Sequence, residues 1–188
     1  MTVALEALAA ALPRYAADIA ANLQALTAET LLSEPQKWGC FIASAHAVAT
    51  PAAVQAIEAA AVTAGLSADA LLAARGAAAI MAQNNVYFRA LTLLKNRDYA
   101  ALRSRLRMSL AFNPGVPKDD FDLWCVAVSA IHGCPDCLDS HESTLRSRGV
   151  SAEAVQTALR IAAVTHAVSR VLAGEAAAAQ GVGLPVST

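Results

Sequence analysis

The residues best suited to chemistry lie in one short stretch. Cys134-Pro135-Asp136-Cys137 is followed by His141, four residues after the second cysteine and seven after the first. Proline suits the first turn of a helix, so Pro135 can open one. All three side chains then share a helix face. The unpaired N–H groups and the dipole at such a start favour a thiolate. On residues alone three readings stay open. A redox centre needs two thiols about one turn apart, one activated and one to close a disulfide, and His141 can take or shuttle the proton. A zinc site could draw on Cys134, Cys137, His141 and His132, but a single CxxC without a second pair is poor zinc spacing. The third reading is a pair of buried cysteines with no role.

The elements that must position this stretch can be read outward from it. Apolar Phe121 to Ile131 predicts a buried helix that Gly133 ends, with the CxxC opening the next. Further back, Ala111-Phe112-Asn113-Pro114-Gly115-Val116-Pro117 predicts a loop, since two prolines and a glycine oppose a helix. Near the N-terminus, Pro13 can open a helix running through Leu26, with Tyr15, Ile19, Leu23 and Leu26 at helical spacing.

Composition agrees with an all-α fold. Of 188 residues, 47 are alanine, the best helix former, and 56% are hydrophobic. Such a chain is not disordered. Fourteen basic against 15 acidic side chains give no broad basic field, which argues against nucleic acid as a partner. Small side chains make a thin monomer core, so association of subunits is expected. The longest uncharged run, Trp38 to Ile57, is long enough to span a bilayer. It holds His46, Gln55 and Pro51 and is dominated by alanine, so it reads as buried helix and not as a membrane span. Met1 to Glu6 lacks the basic region of a signal peptide, which points to the reducing cytoplasm. There, four cysteines are expected to be catalytic, metal-bound or buried before they are structural disulfides.

The chain also resembles itself. Gly65-Leu66-Ser67-Ala68-Asp69-Ala70 returns 84 residues later as Gly149-Val150-Ser151-Ala152-Glu153-Ala154. At an offset of 85, Arg75, Ala77, Ala78, Ala82 and Val86 fall on Arg160, Ala162, Ala163, Ala167 and Val171, and Cys40 on Cys125. Two helical copies, about 34–90 and 119–175, are expected. In each hexapeptide the glycine ends one helix, the serine caps the next, and Asp69 or Glu153 sits in its first turn. At the 85 offset Ala49 and Ala52 match Cys134 and Cys137, so chemistry is expected in the second copy only.

Phe121 to His141 resembles the signature of the AhpD alkyl hydroperoxidase family, in the carboxymuconolactone decarboxylase-like superfamily. That signature is a carboxylate, a CxxC twelve residues on, and a histidine four residues after it; Asp122, Cys134, Cys137 and His141 fit. Gln36-Lys37-Trp38-Gly39, Asn84-Asn85-Val86, Leu106-Arg107-Met108 and Asn113-Pro114-Gly115-Val116-Pro117-Lys118 resemble the family too, so the likeness spans nearly all of residues 1–188, as a single AhpD-like helical domain.

The resemblance implies a helical homotrimer that reduces small alkyl hydroperoxides through its cysteine pair. It implies no tightly bound cofactor; electrons come from the lipoyl group of a dihydrolipoamide acyltransferase, kept reduced by dihydrolipoamide dehydrogenase. An AhpC-type peroxiredoxin is the further partner. It makes Cys137 the thiol that peroxide oxidises and Cys134 the proton donor and resolving thiol, with Asp122 and His141 as proton relay. Two departures stand out. Asp122 replaces the family's usual glutamate and is one methylene shorter, which makes a bridging water to His141 the expectation. Asp136 stands where histidine is common, and with Asp139 it adds negative charge near the thiols. The alternatives are a thiol redox sensor or general thiol-disulfide oxidoreductase and, less well matched to a CxxC, a decarboxylase of the superfamily. Elsewhere, Cys40 and Cys125 in apolar helices read as inert core, Trp38 and Trp124 as packing anchors, and His46 and His166 as structural. His132, beside Gly133 at the edge of the site, reads as core or surface, with a supporting hydrogen bond as the alternative, and Arg103, Arg105 and Arg107 as a solvated or salt-bridged face, with a subunit contact as the alternative.

Overall fold

The computed structural model describes residues 2–180. Among them the chain is helical throughout, with no strand, as the composition predicts. In order come α1 (Val3–Ala10), a 3-10 turn (Arg14–Ala16), α2 (Ala17–Thr27), α3 (Glu34–Val48), α4 (Pro51–Thr63) and α5 (Ala68–Leu93). A second 3-10 turn (Arg97–Ala101) then precedes α6 (Ser109–Phe112), α7 (Lys118–His132), α8 (Pro135–Ser147) and α9 (Ala152–Ala179).

Two helices form the centre. In α3 every residue from Lys37 to Ala45 is buried, and in α7 every residue from Asp120 to Ser129. A helix encased on all sides must be surrounded by others, and α3 and α7 pack on each other and on both α5 and α9. Their crossing is close because Gly39 has no side chain: a Cβ there would overlap the indole of Trp124. That indole donates its N–H to the Gln36 carbonyl at 3.2 Å. Trp38 is buried as well, so both tryptophans pack as expected. On α5, Ala73, Ala74, Ala77 and Ala78 present a small-residue face to the centre.

The capping signals work as read. Gly65 and Gly149 take φ of +87° and +89°. Ser67 and Ser151 then accept from Ala70 N and Ala154 N at 3.2 and 3.1 Å. Three expectations need correction. The Pro13 helix opens with a separate 3-10 turn, and α2 proper begins only at Ala17. Ala111 and Phe112 belong to the single turn α6, so the predicted loop starts at Asn113. The run Trp38 to Ile57 is two helices, split where Ala49 takes the left-handed conformation (φ 61°) and Pro51 starts α4. No helix among the described residues is long and apolar enough to cross a membrane.

The helix starts also revise the internal register. Glu34, Pro51 and Ala68 open α3, α4 and α5; Lys118, Pro135 and Ala152 open α7, α8 and α9, 84 residues later in each case. At that spacing Thr50 and Ala53 fall at the places of Cys134 and Cys137, where an offset of 85 would put Ala49 and Ala52. Ala49 corresponds to Gly133, and both residues end their helices left-handed.

Candidate active site

The α7–α8 elbow is built by its own sequence. Gly133 ends α7 at φ 64°, and the next N–H, that of Cys134, reaches back to the Ser129 carbonyl at 3.2 Å. This is a Schellman-type stop, which needs the left-handed residue that glycine supplies at no steric cost. Cys134 then serves as N-cap of α8, its carbonyl accepting from Leu138 N at 3.0 Å, and Pro135 takes the first helical position. Cys137 follows as the third helical residue. The two cysteines are joined as a disulfide, with their Cα atoms 5.3 Å apart, within the usual span of such bonds.

One turn further along α8, His141 meets Asp122 of α7: its Nδ1 lies 3.0 Å from Asp122 Oδ1. The shorter carboxylate thus reaches the histidine directly, and the bridging water expected for it is not needed. Asp122 is only 1% exposed and bears two further partners. Lys118, one turn earlier on α7, donates to Oδ1, and Arg148, at the end of α8, donates to Oδ2 at 3.2 Å. Burial pushes this carboxyl up, but the hydrogen bonds from His141 and Lys118 outweigh it and hold the group below the usual carboxylate range. The outcome is a buried, ionised carboxylate with a histidine in its grip.

Cys137, His141 and Asp122 line one wall of a cleft of about 580 Å³. Met81, Phe88, Met108 and Phe112 supply its apolar side. Cys134 lies outside this lining and is wholly buried, whereas Cys137 keeps 6% of its surface. The cleft therefore presents one sulfur to an incoming molecule and holds the other behind it.

The remaining candidates sort by surroundings. Asp136 does not crowd the sulfurs unattended: its Oδ2 accepts from the Thr92 hydroxyl of α5 at 2.6 Å. Asp139 is exposed. His132 caps no thiol. Its Nδ1 is paired with Asn85 Nδ2 at 3.1 Å, and burial lowers its pKa, with a hydrogen bond to the Ala47 backbone working the other way and Arg89 adding to the fall. Among the described residues no group of three or more His, Cys, Asp or Glu is arranged to hold a metal ion. Cys40 and Cys125 are completely buried, and burial, the largest influence, pushes both thiols far above their ordinary range. His46 binds Glu58 at 2.7 Å, a carboxylate that Arg75 also clamps through two nitrogens. His166 is exposed on α9, and Arg103, Arg105 and Arg107 are exposed in the segment before α6.

Sequence reasoning missed three groups. Lys118 was legible, since it stands four residues before Asp122 on one helix. Arg148 and the α5 residues that grip the elbow were not, because only tertiary packing brings them in.

A bundle of this kind with a CxxC at a helix start and a buried acid–histidine pair beside it belongs to a recognisable class. The model of the "Carboxymuconolactone decarboxylase family" matches residues 97–180. The "Alkyl hydroperoxide reductase AhpD" of Hyphomonas neptunium is 53% identical over 177 residues, covering 94% of this chain and 98% of that protein. The proteins of the same name from Maricaulis maris and Streptomyces avermitilis are 51% and 46% identical, covering 92% and 95% of this chain and 99% and 100% of their own. The chain belongs to the AhpD family of alkyl hydroperoxide reductases.

Proposed function

We propose that this protein reduces alkyl hydroperoxides by opening and closing the Cys134–Cys137 disulfide. The observation that carries the reading is the joined pair at the start of α8, with Cys137 alone facing the cleft and the Asp122–His141 pair beside it. In the dithiol state the Asp122–His141 pair draws the Cys134 proton, and Cys134 in turn helps Cys137 ionise. The Cys137 thiolate attacks the outer peroxide oxygen. The O–O bond breaks, the alcohol leaves with a proton, and Cys137 becomes a sulfenic acid. Cys134 then displaces that oxygen as water and closes the disulfide. A dihydrolipoyl arm on a partner acyltransferase supplies two electrons and two protons to reopen it, and an AhpC-type peroxiredoxin draws on the same dithiol.

The reading includes a homotrimer working in the cytoplasm, and one helical domain over the chain with 34–90 and 119–175 as copies of a single unit. The test is peroxide consumption with dihydrolipoamide, with and without a peroxiredoxin. Repeated turnover supports the enzyme. Oxidation that stops after one equivalent while dihydrolipoamide remains would favour a redox sensor.

A further inference from the structure

Three residues on one face of α5 reach across to the elbow that carries the cysteines. Asn85, Arg89 and Thr92 are spaced by four and three, so their side chains form one stripe. Each holds a different part of the turn. Asn85 Oδ1 accepts from the Ser129 hydroxyl at 3.2 Å, and its Nδ2 meets His132 Nδ1 at 3.1 Å. Arg89 donates to the His132 carbonyl, two residues before Cys134. Thr92 lies 2.6 Å from Asp136 Oδ2 and 3.1 Å from the Phe88 carbonyl; its one proton goes to the shorter, charged contact. Asp136 sits between the two cysteines. The stripe therefore grips the last turn of α7, the chain leaving it and the first turn of α8.

We propose that the Asn85–Arg89–Thr92 stripe is a positioning device that favours the closed disulfide over the dithiol. The inference rests on the thiol–disulfide cycle proposed above. All four contacts are made with the disulfide closed, and they fix residues on both sides of Cys134. Opening the bond lets the two sulfurs separate, and the turn between them relaxes against the stripe. Contacts made better in one redox state than in the other must shift the balance between the two. None of these three residues reacts; they act on the cysteines through His132, Ser129 and Asp136.

The experiment is equilibration of the full-length protein in graded dithiothreitol buffers, followed by thiol trapping and mass measurement. In that exchange dithiothreitol gives two electrons and two protons to the Cys134–Cys137 bond and closes its own ring. Thr92→Val removes only a hydroxyl at the rim of the structure, so folding is not in question, and Arg89→Gln is the second variant. Each is expected to move the equilibrium about threefold to tenfold toward the dithiol, the net worth of one hydrogen bond. Thr92→Ser, which keeps the hydroxyl, is expected to restore the wild-type value; a purely structural loss would not respond in this pattern. Unchanged equilibria in Thr92→Val and Arg89→Gln, or shifts toward the disulfide, would overturn the proposal while leaving the peroxidase cycle intact. A wild-type protein that forms no Cys134–Cys137 disulfide with peroxide would sink both.

Discussion

Helices α4 and α8 begin alike and end up doing opposite things. Each is 13 residues long, opens with proline after an extended residue, and follows a 15-residue helix that stops at a left-handed residue. Yet α4 contains six alanines and α8 none. On α4 the buried stripe is Ala53, Ile57, Ala60 and Ala61. Shifted by 84, the same stripe on α8 is Cys137, His141, Thr144 and Leu145. Only Cys137 and Leu145 are buried there, while His141 and Thr144 join Cys137 in lining the cleft. Cover accounts for the difference. Helix α1 lies on α4, and its Leu5 and Leu8 are buried in the core. Helix α8 packs on α7 and α5 and keeps its free side along the cleft. One helical slot is thus core where another helix covers it, and the wall of a cleft where it is left open and given polar side chains. Trp38, which stands in α3 where Asp122 stands in α7, extends the contrast one layer inward.

The largest expected effect comes from the sulfurs themselves. Cys137→Ser should consume no peroxide, whereas Cys134→Ser should consume one equivalent and stop, because its sulfenic acid has no thiol to condense with. Single-turnover peroxide assays with mass mapping distinguish the two. If Cys134→Ser is inert and Cys137→Ser reacts, the assignment of the cleft-facing sulfur as attacker is wrong. Cys40 and Cys125, deeply buried, should stay reduced throughout.

On the α4 side the counterpart substitution should damage the fold and spare the chemistry. Ile57→Ala empties a fully buried site and should cost about 2–5 kcal/mol of stability, read by denaturant unfolding. Turnover per folded molecule should not change. A fall in that turnover would mean that the two helices are not separated into scaffold and site.

Asp122→Asn should slow peroxide reduction about a hundredfold, the usual worth of general acid–base assistance. This corresponds to roughly 2.7 kcal/mol of barrier. Because Asp122 already touches His141, Asp122→Glu has no gap to close and should not exceed the wild-type rate. Equal rates for Asp122→Asn and wild type across pH would reduce the carboxylate to a structural ion-pair partner of Lys118 and Arg148.

Much of this was legible before folding was considered. Local signals were the most faithful: Gly65, Ser67, Gly133, Pro135, Gly149 and Ser151 each mark a helix boundary where their backbone preferences say they should. The CxxC with His141 on one face needed only helix geometry, and the family resemblance pointed to Asp122. Three things escaped. Ala49 takes a left-handed φ that alanine does not advertise, so the split of the long apolar run could be placed only by Pro51. Matches such as Arg75 with Arg160 and Cys40 with Cys125 drew the offset to 85, whereas the helix starts recur at 84. The Arg148 contact to Asp122 and the stripe on α5 join residues 26 to 47 positions apart, which no local pattern encodes.

The smallest expected effect lies at the ends of α3 and α7, which finish in Val48 and His132. Valine has no proton to take up; His132 does, and its half-buried ring resists it. Its pKa is lowered in the folded protein, first by burial, against the ordinary value of 6.5. As pH falls through about that value, the unfolded chain binds a proton that the folded chain refuses, so the folded state loses stability. The loss continues until pH reaches the lowered folded pKa and then levels off. Protonation would also set an N–H of the ring against the Asn85 amide that now pairs with Nδ1. His132→Gln removes the titration and keeps a side chain able to bond Asn85. Denaturant unfolding at pH 8 and pH 5 should therefore show a smaller drop in the variant than in wild type, the other histidines and carboxylates being common to both. Equal drops would mean that His132 takes its proton as freely folded as unfolded, and that the end of α7 tolerates acid no worse than the valine end of α3.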